Sequence, residues 1–198
     1  MSAEPSIITG IHQDMYIKNK RTKYLEDYQL DIDIATGKMV QTYIGAYYTW
    51  NLSDEDNKKR RIRYLLIPLA ICVLSVIPGC FFSELSYFWI IEFLYAVVCV
   101  MAFAEFGVIL SFNSTFTNIK RKTYERMIPG GEYLCLVLAV TALIVAVLCV
   151  AFLFKYPIII ADQSISVIYP ISESASGILG LWFWRLQRYY RKNISIRS

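Results

Sequence analysis

Two long stretches of this chain are almost free of charge, and that limits its fold more than any motif does. Residues 64–117 contain no Lys or Arg and only the acids Glu84, Glu92 and Glu105. Residues 134–184 contain Lys155, Asp162 and Glu173 and no other charged side chain. The charged share of the whole chain is 18%, against about 25% in ordinary soluble domains, so the deficit is concentrated in these two blocks. Such blocks exclude a soluble enzyme, a disordered protein and a nucleic-acid binder. They leave a small multi-pass membrane protein.

A hydrocarbon core about 30 Å thick is crossed by roughly 20 apolar residues in a helix. Four stretches meet that length: 64–83, 87–112, 133–155 and 165–184. The expected fold class is therefore an all-α membrane protein, a four-transmembrane-helix bundle. The fourth stretch contains serines, Pro170 and Glu173, but its exit through Trp182-Phe183-Trp184 into Arg185 and Arg188 has the aromatic-then-basic form of a membrane boundary. Of the 20 Lys and Arg residues, all but Lys155 lie before residue 64, in the 113–132 connection or after residue 184. The positive-inside rule then places both termini and that connection in the cytoplasm of a cell membrane. Because the first apolar run begins only near residue 64, no cleavable signal peptide is expected.

Outside the spans the chain divides into a mobile polar leader (1–25), a head (26–63) and a basic tail (185–198). His12 is the single histidine, and the cysteines at 72, 80, 99, 135 and 149 form no C-x-x-C pair. Neither a metal centre, a thiol redox pair nor a cofactor site is expected from that set. In the head, Tyr28, Leu30, Ile32 and Ile34 alternate with polar residues, the period of a half-buried strand. Ala35–Lys38 supplies a turn, and a return strand from Met39 to Trp50 would put Val40, Ile44, Ala46, Tyr48 and Trp50 on one face. The reading is a β-hairpin.

A lone two-stranded hairpin is marginal in water, so its apolar face needs the membrane surface, the 113–132 connection, a second copy or another protein. Tyr43, Ile44, Tyr48 and Trp50 are the candidate partner-binding residues. Ser53, followed by Asp54, Glu55 and Asp56, reads as an N-cap starting a helix that continues into the first span. Its Lys58–Arg63 belt would attract anionic lipid headgroups, at about 1 kcal/mol per basic residue.

Inside the spans, an ionisable group costs roughly 2.5–3.5 kcal/mol on insertion scales and is a functional candidate for that reason. Glu92, Glu105 and Glu173 are such groups. Glu92 and Glu105, thirteen residues apart, point about 220° away from each other around one helix. Glu92 and Glu173 fall at similar depth and would meet if the second and fourth spans were neighbours. In the fourth span Ser166, Tyr169, Glu173, Ser176/Gly177 and Gly180 form one polar, small-residue stripe. Ser172, Ser176 and Gly180 form a small-xxx-small seam for close helix packing. Pro170 is expected to bend that span.

No nucleophile–histidine pair, phosphate loop or metal-ligand cluster is present, so no catalytic residue is assigned. The expected function is that of a non-catalytic accessory subunit, scaffold or assembly component, acting through helix packing and the hairpin. It would work as a homo-oligomer or within a larger membrane complex. The alternative is a small oligomeric proton- or cation-coupled transporter or channel using Glu173.

Overall fold

Ser53 starts the first long helix in the way its sequence context suggests: its hydroxyl accepts from the Asp56 amide at 3.1 Å. In this computed structural model residues 24, 26–32, 39–81, 84–113, 119–156 and 166–197 are described. The leader before Tyr24, the turn at 35–38 and most of the connection at 156–164 lie outside them. The described helices are α1 (Asp54–Val76), α2 (Trp89–Asn113), α3 (Arg121–Lys155) and α4 (Ile168–Arg191). Short strands are β1 (Tyr28–Ile32), β2 (Met39–Tyr43), β3 (Tyr47–Trp50), β4 (Ile119–Lys120) and β5 (Ile194–Arg197). The protein is mostly helical, with two small sheets.

The helices α1, α2 and α3 are long and apolar enough to cross a membrane. α4 does not meet that standard by composition, because Ser172, Glu173, Ser174, Ser176 and Gln187 dilute its apolar residues. The most extensive helix pairings run α1–α2, α2–α3, α3–α4 and α4–α1, so the four close a ring. α3 is 35 residues long, about 52 Å at 1.5 Å per residue, and begins twelve residues before the apolar stretch that starts at Tyr133. Much of what reads as a 113–132 connection is thus helix. The tail is also ordered: α4 runs on to Arg191, and 194–197 form a strand.

Pro170 does not bend a span. α4 starts at Ile168, which places Pro170 in the first turn, where its missing N–H has no intrahelical acceptor to lose. The helix break falls instead at Pro78, where α1 passes into a 3-10 turn (Ile77–Cys80). The Tyr95 hydroxyl of α2 closes that end, accepting from Gly79 N at 2.9 Å and donating to the Val76 carbonyl at 3.3 Å.

The head differs from a plain hairpin. β1 and β2 pair antiparallel with Tyr28 opposite Tyr43, which puts Leu30 and Met39 on one face and Val40 on the other. The return strand then breaks at Ile44-Gly45-Ala46, because the Ile44 and Gly45 amides both turn to the Asp27 carbonyl. A Cβ on Gly45 would lie 2.8 Å from the Asp27 side chain, so only glycine fits the break. After it, β3 leaves the hairpin and becomes the centre of a second antiparallel sheet, between β4 and β5. The chain before α1, between α2 and α3, and after α4 therefore meets at one end of the helices.

Among the described helices, α3 and α4 share the most extensive contact, and two glycines of α4 let them approach closely. A Cβ on Gly177 would meet Leu143 Cγ at 2.7 Å and the Ala139 carbonyl at 3.0 Å, and one on Gly180 would meet Ala139 Cβ at 2.9 Å. Gly107 on α2 has nothing within 4 Å. Gly180→Leu should destabilise the protein by about 1–3 kcal/mol through overpacking, read as a lower thermal unfolding temperature in detergent. Gly107→Leu should leave that temperature unchanged or raise it; equal losses would show that the seam is not special.

Candidate functional site

Helix α4 gives one face to two neighbours, and the seam residues divide between them. Gly177 and Gly180 let α3 approach, whereas Ser172 and Ser176 turn to α1. The Ser172 hydroxyl donates to the Leu74 carbonyl, and Ser176 Oγ lies 3.1 Å from Ser75 Oγ. Cys99 of α2 donates its thiol to the Ser75 carbonyl at 3.1 Å. Three helices thus place polar atoms around the same level of the interior. Ser166 and Tyr169 are buried one to two turns towards the start of α4, with the Tyr169 ring 5.7 Å from that of Tyr95.

Glu173 lies at this level with 0% of its surface exposed, and neither carboxyl oxygen has a hydrogen-bond partner among the described residues. An ionised carboxyl in such surroundings without a donor is far costlier than a neutral one, so a proton or a cation must balance it. Glu105 is equally enclosed, at 2% exposure, but it is partnered: Gln187 Nε2 donates to its Oε1 at 2.8 Å. Its Oε2 has no partner among the described residues. Near Glu105, Cys72 and Cys135 spend their thiols on the Ala102 and Gly180 carbonyls, both at 3.3 Å. Glu92 is exposed at the start of α2, and no hydrogen bond joins it to Glu173. The structure therefore draws Glu105 and Glu173 into the interior at different levels and leaves Glu92 outside.

Gln187 is absent from the sequence reading because it sits in what reads as a tail. Helical periodicity would have found it: fourteen residues after Glu173 is about 40° short of four turns, hence the same face of one continuous helix.

At the β-sheet end, three of the four hairpin candidates are engaged within the chain. Tyr43 donates its hydroxyl to the Ala46 carbonyl at 2.9 Å and accepts from Arg121 N at 3.0 Å. Tyr48 stacks on Tyr124 with ring centroids 4.0 Å apart. Trp50 is buried over Arg60, whose guanidinium carbon is 4.2 Å from the indole. Ile44 remains exposed. The basic belt is divided as well: Arg60 turns inward and bonds Asn57 Oδ1 through two nitrogens, while Lys59 pairs with Glu55 at 2.7 Å. A further ion pair, Arg191 to Glu132 at 2.9 Å, joins the end of α4 to the interior of α3 about three turns from its start.

Gln187→Leu should leave Glu105 with no donor and cost about 1–3 kcal/mol, whereas Glu105→Leu combined with Gln187→Leu should recover most of that loss. The check is a double-mutant cycle on thermal or denaturant unfolding. Additive losses would show that the pair does not interact.

Comparisons of the chain with protein-family models, with curated proteins and with solved structures each return no match.

Proposed function

We propose that this chain is a four-span protein of the cell membrane, with both termini cytoplasmic, that binds a proton or small cation at Glu173. It would act as a small oligomeric proton- or cation-coupled transporter or channel. The observation that carries this reading is the Glu173 carboxyl, fully enclosed and without a donor on either oxygen among the described residues. A purely structural role would have it donate to a neighbour across the seam. The nearby hydroxyls are instead committed to each other and to the Leu74 carbonyl. Serine hydroxyls beside a carboxyl are also suited to a small hard cation.

Four spans are supported by the sheet at the basic end. β4 and β5 both pair with β3, so the start of α3 and the end of α4 lie together. If α3 crosses the bilayer, α4 has to return across it. The Lys/Arg bias makes that end the cytoplasmic one. Impermeant thiol reagents should then label Ser86→Cys and spare Ser114→Cys in intact cells; the reverse pattern would overturn the orientation.

The functional test is Glu173→Gln in proteoliposomes. The expected result is normal folding and assembly with loss of pH-dependent flux, together with loss of carbodiimide labelling at this position. Full flux in the Gln variant sinks the reading.

A second reading, an accessory subunit or scaffold, is favoured by the β1–β2 hairpin. Leu30 and Met39 are 68% and 75% exposed, and Val40 and Ile44 are exposed beside them. Under that reading a stoichiometric partner protein co-purifies with the chain and is lost on Ile44→Asp. Headgroup attraction at Lys58–Arg63 belongs to either reading, carried by Lys58 and Arg63 more than by the buried Arg60.

A further inference from the structure

The basic end of the α3–α4 pair holds a concavity that neither functional reading uses. A pocket of about 270 Å³ is lined by Tyr124 and Glu132 of α3 and by Arg188, Arg191 and Lys192 at the end of α4. Positions 188, 191 and 192 are spaced i, i+3 and i+4, which turns the three cations to one side of the helix end. The acid in the pocket is engaged through one oxygen, while its Oε1 is buried without a partner among the described residues. Glu132 accepts from Arg191 at 2.9 Å, and that hydrogen bond holds the Arg191 guanidinium above its usual pKa, so the arginine stays charged. Arg188 and Lys192 form no ion pair with a carboxylate among the described residues. The pocket therefore carries two uncompensated positive charges and a phenol.

Its position narrows the ligand. The Arg188 guanidinium carbon sits 5.0 Å from the Trp184 ring centroid, one turn towards the apolar part of α4. Tyr133 and Tyr189 are exposed near the same level, as interfacial aromatics are. Beyond them the two helices expose Val140, Ile178 and Trp182, apolar surface on which acyl chains can lie. Basic pockets between helices at a bilayer surface are suited to phosphate-bearing headgroups.

We propose that this pocket binds the phosphate of an anionic glycerophospholipid, with Arg188, Lys192 and the Tyr124 hydroxyl as its donors and Glu132 holding Arg191 at the wall. The proposal is independent of the reading at Glu173. It also moves the principal headgroup contact away from Lys58–Arg63, where Arg60 is covered by Trp50.

The test uses the full chain reconstituted in vesicles of phosphatidylcholine and phosphatidylglycerol, extracted gently and weighed by native mass spectrometry. The wild type should retain phosphatidylglycerol in preference to phosphatidylcholine. Arg188→Ala with Lys192→Ala should lower that retention on the order of thirtyfold, from about 1 kcal/mol for each cation near the surface. Both side chains are exposed, so the fold should survive, and Arg188→Lys with Lys192→Arg should keep the lipid. Lys122→Ala, on α3 but outside the pocket, should also keep it. Unchanged retention in the double alanine variant overturns the proposal, as does an equal loss with Lys122→Ala. Displacement of the lipid by soluble glycerol phosphate would make the pocket a site for free phosphate and overturn it as well.

Discussion

The close approach of α3 and α4 at Gly177 and Gly180 is the contact on which the remaining interior depends. Any side chain at either position would collide with Ala139 or Leu143, so the helices could not meet at this distance. Because they do meet, the rest of that face of α4 is pressed towards α1, where Ser172 and Ser176 find the Leu74 carbonyl and the Ser75 hydroxyl. Glu173 then lies inside the ring of helices, with no surface exposed. One sequence stripe thus serves two packing partners and leaves its ionisable member without a hydrogen-bond partner among the described residues.

The two interior carboxyls differ for a reason of register. Glu105 falls level with Gln187, a long amide able to donate across the interior, whereas Glu173 falls level with short serines already bonded elsewhere. A half-satisfied buried carboxyl is tolerable because one donor offsets part of its desolvation. Glu173 has no donor among the described residues, and that makes it the stronger candidate for binding chemistry.

At the basic end a backbone decision does comparable organising. The Asp27 carbonyl takes the amides of both Ile44 and Gly45, which ends the hairpin ladder and frees β3 to pair with β4 and β5. Trp50, at the end of β3, then covers Arg60 and packs edge-on to Tyr64, joining sheet and helices in one core with Phe183 and Tyr190. Cation–π contact and the Asn57 bonds offset the burial of a guanidinium that would otherwise face water. The pairing also brings three segments distant in sequence to one end of the molecule.

Charge depletion and apolar length located the apolar helices, the Ser53-Asp54-Glu55-Asp56 pattern the cap, and period-two alternation the first strand pairing, all of them local in the sequence. They were enough to single out Glu173 and its small-residue stripe too, because helical periodicity is written in consecutive residues. What they did not contain was which element meets which. Alternation predicted a continuous strand from Met39 to Trp50, but long-range pairing with 119–120 and 194–197 and the Asp27–Gly45 contact divided it. The polar composition of the tail hid a helix end whose Gln187 and Tyr190 are buried only because α2 and α1 lie against them. Whether a buried carboxyl finds a donor depends on the depth at which two separate helices come level. That depth is set by glycine contacts and strand pairing far along the chain, so only the tertiary structure decides it.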